Sequence, residues 1–356
     1  MSAPYVPPGL SFGAAPGKAV LPVSLPKDER LQDYMVEWWY FIALLTEDGT
    51  TNRFAVEMTA ARLTLSPMRA METAYIAVIE PGAAQPENRY VSADRQSMDA
   101  YDSNATHLRM RFAPSYGQPG DWRIEGWALD NTPVRYEIEG AFAVEEADTS
   151  TIRQRAVLLE FRDSAAHPPL LHGNAGVIDF FGLQMGYYSR TRLTVQGVLK
   201  IDARIVPVSG LGWMDHEWGT ADLPGSRWMF VAIQLDGGDE ICAYRVDRRR
   251  EGTQGVPYGY VLGQKPEMAE KDKVVISSLG VLDPYGYSLA WRVQITFPSG
   301  RTEDLRVEAE FPEQRRVPTG ELALPFVTLW EGAALVSEFA TGKRVGRAFL
   351  EMGGYE

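Results

Sequence analysis

The stretch Val208 to Asp247 reads VSGLGWMDHEWGTADLPGSRWMFVAIQLDGGDEICAYRVD, and its reading decides the fold. Trp228 to Leu235 is an apolar, partly β-branched and aromatic run of strand length. Asp236-Gly237-Gly238-Asp239 is a turn, and Glu240 to Val246 is the return strand. Upstream, Gly212 to Gly219 packs two carboxylates, one imidazole and two indoles between glycines. Burying Asp215, His216 and Glu217 side by side costs free energy unless each finds a partner. Carboxylates and imidazole beside indoles also suit proton transfer on an apolar substrate. If this segment is extended, alternation puts Met214, His216 and Trp218 on one face and Trp213, Asp215 and Glu217 on the other. On the return strand Cys242, Tyr244 and Val246 share a face, and Arg245 and Asp247 the opposite one. Two readings are open. One is a pocket lined by His216, Trp218 and Tyr244. The other is a structural corner, with Asp215 and Glu217 bonding arginines or loop amides and the tryptophans as core.

Outward from this centre the same strand-and-turn pattern recurs. Trp38 to Leu45, a turn at Glu47-Asp48-Gly49 and Arg53 to Ala60 read as a hairpin. Strand-length runs follow at Thr73–Ile79, His107–Phe112, Trp122–Leu129, Val134–Phe142, Ala156–Phe161 and Tyr187–Leu199, and again from Tyr258 to Glu351. Helical pieces are expected only around Ala60–Leu65, Ser92–Ala100 and Pro266–Lys271. Many short strands punctuated by Pro, Gly, Asn and Asp define an all-β class, sandwich or barrel. Trp39 in the Trp38-Trp39-Tyr40 cluster either closes the end of a barrel or faces a ligand. Tyr188 points opposite to Tyr187, one toward core and the other free to offer its hydroxyl. His172, in a glycine-rich loop, reaches a pocket or caps backbone groups.

At 356 residues the chain is long for one core, so two domains are expected. The Pro- and Gly-rich residues 1–30 form an extended arm, 31–204 the first β domain and 205–356 the second. A ligand pocket at or near their seam fits the position of the central cluster. Apolar content of 45% is that of an ordinary globular protein, and a net charge of −12 argues against nucleic acid or an anionic membrane surface as partner. Cys242 is the only cysteine, which excludes an intrachain disulfide and suggests a buried, inert thiol. The histidines at 107, 167, 172 and 216 show no ligand spacing, and no calcium loop is present, so no metal is expected. No G-x-G-x-x-G, P-loop or G-x-S-x-G occurs, so no nucleotide cofactor is expected either. Arg248-Arg249-Arg250 reads as a solvated turn, with phosphate binding as the alternative. No signal peptide is visible, and no apolar run approaches the ~20 residues of a spanning helix. A cytoplasmic place is expected, although an export signal already removed would leave no trace. Nothing in the sequence sets an oligomeric state.

Gly212-Trp213-Met214-Asp215-His216-Glu217-Trp218, followed by Trp228 to Gly237, resembles the central motif of the AttH/CrtC family. Val36 to Phe41, Gly186 to Leu193, Leu329 to Gly332 and Glu351 to Tyr355 fit the same family in its order. That family holds carotenoid 1,2-hydratases and AttH-like proteins, with fungal Diels–Alderases as distant relatives. The resemblance implies two lipocalin-like β domains and an enzyme acting on a lipophilic unsaturated small molecule, of isoprenoid, polyene or polyketide origin. The chemistry it implies is acid-assisted hydration or cyclisation of a C=C bond by a cofactor-independent lyase or isomerase. Asp215 is the preferred acid, helped by His216, with Glu217 next. Trp218, Trp228 and Tyr244 would shape the pocket, with Trp39, Tyr188 and His172 as further contacts. The resemblance also implies acidic residues beyond the central motif, for which Asp247 is the nearest candidate. Two other functions stay open: a pericyclase working by pocket shape, and a carrier that binds a lipophile without chemistry.

Overall fold

The computed structural model describes residues 19–355 apart from 33, 67–68, 81–88, 97, 105–106, 113–119, 128–133, 146–150, 164–166, 174, 224, 250–254, 264–265 and 317–327. The first eighteen residues of the expected arm, and Arg250, lie outside the described residues. Thirteen strands form one antiparallel sheet. They are β1 (Val36–Glu47), β2 (Arg53–Ser66), β3 (Arg69–Glu80), β4 (Arg89–Gln96), β5 (Met98–Asn104), β6 (His107–Phe112), β7 (Trp122–Trp127), β8 (Arg135–Glu145), β9 (Ile152–Arg162), β10 (Leu170–Leu171), β11 (Val177–Phe180), β12 (Leu183–Ile201) and β13 (Arg204–Gly219). Their order is β4-β3-β2-β1-β13-β12-β9-β8-β7-β6-β5, with β10 and β11 on the edge of β12. The second sheet has β14 (Ser226–Leu235), β15 (Glu240–Arg248), β16 (Val256–Leu262), β17 (Glu267–Met268), β18 (Val274–Ser278), β19 (Ala290–Thr296), β20 (Thr302–Ala309), β21 (Arg315–Arg316), β22 (Leu329–Glu338) and β23 (Arg344–Gly353). It runs β17-β16-β15-β14-β23-β22-β20-β19-β18. Both sheets curl, bringing β4 back against β8 and β16 against β18.

Three apolar cores follow from strand alternation. One fills the first sheet with the odd residues of β1, Trp39, Phe41, Ala43 and Leu45. A second fills the other sheet. The third lies between them and takes the even residues Tyr40, Ile42 and Leu44, with Phe230, Ala232, Cys242, Tyr244 and Phe349 opposite. β1 and β14 are therefore buried on both faces. This explains why both read as nearly continuous apolar runs rather than alternating ones. Cys242 sits fully buried in this middle core, and burial pushes its thiol well up.

One expectation is corrected, that of helical pieces, and the central motif falls on the first sheet. The division after residue 204 falls at the start of β13, which pairs with β12 and β1. The central motif thus closes the first sheet rather than opening the second, and the chain changes sheet between Gly219 and Ser226. The expected helical pieces are extended: Ala60–Leu65 lies in β2, Ser92–Ala100 falls on β4 and β5, and Pro266–Lys271 holds β17 and the first residue of a 3-10 turn, Lys271–Lys273. Pairing of β2 with both β1 and β3 outweighs the helix propensity of its alanines. Among the described residues no helix is long and apolar enough to cross a membrane. The described part of the arm packs on the first sheet, where a short 3-10 turn (Lys27–Glu29) buries Asp28 and Glu29. Glu29 Oε2 accepts from Tyr136 at 2.9 Å and Tyr188 at 2.6 Å, and its other oxygen pairs with Arg190.

Candidate functional site

Strand register places the side chains of the site. Across β1 and β13, Tyr40 lies opposite Asp215 and Trp38 opposite Glu217. On the other flank of β13, Ser189 of β12 lies opposite Asp215 and Tyr187 opposite Glu217. Residues opposite one another share a sheet face, so all six point toward the second sheet. There the same rule groups Phe230 with Tyr244 and Glu351, and Glu351 with Glu331. Between the two faces is a cavity of about 270 Å³, walled by Trp38, Tyr40, Asp215, Glu217, Trp228 and Glu351 among others. Gly353 lies opposite Trp228 and lets its ring sit flat on the sheet; a Cβ there would come within 2.3 Å of the indole. The indole Nε1 then donates to Glu351 Oε1 at 2.6 Å.

The acids of this cavity are desolvated to different degrees. Burial pushes the Asp215 carboxyl up to about 7, against hydrogen bonds from Ser189 and Trp213 that pull it down; Glu351 adds to the rise. Trp213 Nε1 donates to Asp215 Oδ1 at 2.8 Å, and Ser189 Oγ donates to the same oxygen. Glu217 is pushed well above the usual carboxylate range by burial, then by Asp215 and Glu351. Glu351 is raised by burial, with Trp228, Tyr40 and Arg316 acting against the rise. Deeper in, the Tyr75 hydroxyl bonds both Glu57 and Glu331 under the Arg316 guanidinium, which lies 3.9 Å over the Tyr75 ring. Burial, then Glu331, pushes the Glu57 carboxyl well above the usual carboxylate range.

Behind Asp215 a hydrogen-bonded chain crosses the seam between the sheets. Ser189 Oγ is 2.7 Å from His172 Nε2, and His172 Nδ1 is 3.3 Å from the Tyr244 hydroxyl. Tyr244 and Tyr260 hydroxyls are 3.5 Å apart, and the Gly173 amide donates to Tyr260 at 2.8 Å. Ser189 is fully buried and lies outside the cavity wall, so this serine–histidine contact is not an exposed nucleophile.

Of the residues singled out from the sequence, Asp215, Glu217, Trp228 and Tyr244 wall the cavity. His172 is buried behind it, stacked on Tyr187 at 3.5 Å. The alternation of β13 holds, but it is the acid face that looks at the cavity. His216 and Trp218 point the other way, into the first sheet, and do not wall this cavity. His216 Nε2 lies 2.8 Å from Glu37 Oε1, and its ring stacks on Trp39 at 4.5 Å. Tyr188 faces the same interior, against Glu29. Asp247 is buried in an ion pair with Arg245 at 2.8 Å and Arg227 at 3.3 Å, and lies outside the cavity wall. Arg248 is no solvated turn residue: it walls the cavity and covers Phe181, 4.8 Å from the ring. Sequence reading missed Glu351, Glu331, Glu57, Tyr40, Tyr75 and Ser189 as site residues. The signal was present in Ala348-Phe349-Leu350-Glu351-Met352 and Phe54-Ala55-Val56-Glu57-Met58, where a lone carboxylate interrupts an apolar strand.

Two curled antiparallel sheets, joined over a buried cavity of facing carboxylates and indoles, define a paired β-barrel-like protein with an acidic pocket at its seam. The chain belongs to the AttH-like family, whose model matches residues 16–355. It is similar in structure to an AttH protein of Nitrosomonas europaea, at 20% identity and a TM-score of 0.71, with all of both chains covered. It is also similar to kievitone hydratase of Nectria haematococca, at 16% identity and a TM-score of 0.60, with 94% of each chain covered. No curated protein matches it in sequence.

Proposed function

We propose that this protein is a cofactor-independent hydratase that adds water to a C=C bond of a lipophilic small molecule, with Asp215 as the general acid. One observation carries the reading. Asp215 walls a cavity that also carries the rings of Trp38, Tyr40 and Trp228, its Oδ1 is occupied by two donors, and its carboxyl titrates near neutrality. The acid form then carries its proton on Oδ2. Transfer of that proton to one alkene carbon leaves a cation on the other, facing the rings of Trp38 and Trp228. Water adds to the cation and gives up a proton to Glu351, which Trp228 Nε1 and Arg316 help to keep ionisable. The alkene has gained one H and one OH, and the proton on Glu351 restores Asp215 through solvent exchange. The likeness in fold to a protein named kievitone hydratase supports the class of reaction.

Incubation with a panel of unsaturated isoprenoids and polyenes, read by mass spectrometry, tests this. A product heavier by one water is expected. A product of equal mass means that an internal alkene captures the cation, or that the pocket works by shape. Bound but unchanged ligand means a carrier. Exhaustive dialysis against a chelator is expected to leave turnover unchanged, and loss restored by one particular ion would overturn the metal-free mechanism.

A further inference from the structure

The chain behind Asp215 has a direction set at both ends. The Trp213 indole can only donate, and it meets Asp215 Oδ1 at 2.8 Å. That oxygen is therefore an acceptor, and the Ser189 proton goes to it. Ser189 Oγ must then accept from His172, so Nε2 bears the imidazole hydrogen and Nδ1 accepts from Tyr244. At the far end the Gly173 amide, another obligate donor, occupies Tyr260. Complete burial holds His172 well below its usual range, consistent with a neutral ring carrying one proton. His172 and Ser189 are fully buried, and the chain ends on an amide that neither gives nor takes protons. Its far end has no proton to pass on, so it acts as a clamp rather than a proton wire.

We propose that Ser189 and His172 are positioning residues that keep Asp215 Oδ1 an acceptor and leave the carboxyl proton on Oδ2, toward the cavity. Tyr244 sits on β15, so docking of the second sheet selects the His172 tautomer and thereby orients the acid of the first. The functional meaning rests on Asp215 being the acid; the clamp itself does not. Around Asp215 the other titratable groups are Tyr40 on β1, Tyr187 on β12, Glu217 on its own strand, Cys242 on β15 and Glu351 on β23. None of them is altered in the variants below.

Two readouts test the clamp without turnover. In 15N-histidine-labelled protein, with the signal assigned through His172→Gln, nitrogen chemical shifts should show His172 protonated on Nε2. Protonation on Nδ1 would reverse the chain and overturn the proposal. The second readout is the infrared C=O band of protonated Asp215, identified by its loss in Asp215→Asn and followed against pH. Ser189→Ala removes one of the three side-chain donors to the carboxylate, Ser189, Trp213 and Tyr187, so the midpoint should rise by about one pH unit. Ser189→Thr, which keeps a hydroxyl, should restore it. A folded Ser189→Ala protein with the wild-type midpoint would also overturn the proposal. If both readouts hold and no unsaturated lipid is hydrated, the acid role of Asp215 fails while the clamp stands.

Discussion

Asp215→Asn should lower kcat by about a hundredfold or more, the usual worth of a general acid, and should at the same time melt higher than the wild type at pH 9. The first effect follows from position. Asp215 is the acid whose one oxygen is tied by Ser189 and Trp213 and whose side chain walls the cavity. Asparagine keeps the size and can keep its carbonyl on those donors, but it has no proton to give. The second effect follows from linkage. The carboxyl moves from 3.8 to about 7 on folding. A group raised in this way contributes stability that is complete below its unfolded value and lost as pH rises through its folded one. Above neutrality the wild type must either bury an anion or protonate it, at a cost on the order of 4 kcal/mol as an upper bound. The amide carries no such cost. Melting curves at pH 5 and pH 9 check this: the variant's gain on the wild type should be larger at the higher pH. Wild-type turnover in a folded Asp215→Asn protein would end the acid mechanism and leave pocket shape to explain any activity. For the wild type, kcat should fall as pH rises through about 7, where the acid form is lost.

What could be read from the sequence was local. The hairpin Trp228 to Val246 and the alternation of Trp213 to Trp218 depend on neighbours in the chain, and both are as read. What could not be read was which face looks where. Tyr40 meets Asp215 only because β1 pairs with β13 across more than half of the first sheet's sequence, from Val36↔Gly219 to Glu47↔Val208. No periodicity records such a partner. The same holds for the cavity's other wall, where Glu351 comes from the last strand and reaches Phe230 through β14–β23 pairing. The chain changes sheet later than residue 204 for a related reason. The polar motif looks like the start of a new unit, but β13 is sandwiched between β1 and β12, and only backbone pairing reveals that.

The other large effect expected is on stability. His216→Ala should cost about 3–5 kcal/mol, the range for truncating a large buried ring or breaking a buried pair. It should lower the melting temperature by on the order of 5 °C and leave kcat of the folded protein within a few-fold of wild type. The ring is fully buried, stacked on Trp39 at 4.5 Å, edge-on to Tyr188 at 5.5 Å and beside Trp218 at 4.7 Å. Its removal opens a void in the first sheet's core. It also takes away the imidazole that meets Glu37, whose carboxylate accepts from the Gln32 amide at 2.9 and 3.1 Å as well. Asp215 need not move, because β13 is held by both neighbours on either side of position 216. Burial lowers His216 well below its usual value of 6.5. A group lowered on folding contributes stability that is present above its unfolded value and lost as pH falls toward its folded one. The gap between variant and wild type should thus be full above pH 6.5 and narrow below it. A His216→Ala protein that melts like the wild type but has lost turnover would place the imidazole in the chemistry after all, through a path the two faces of this strand do not provide.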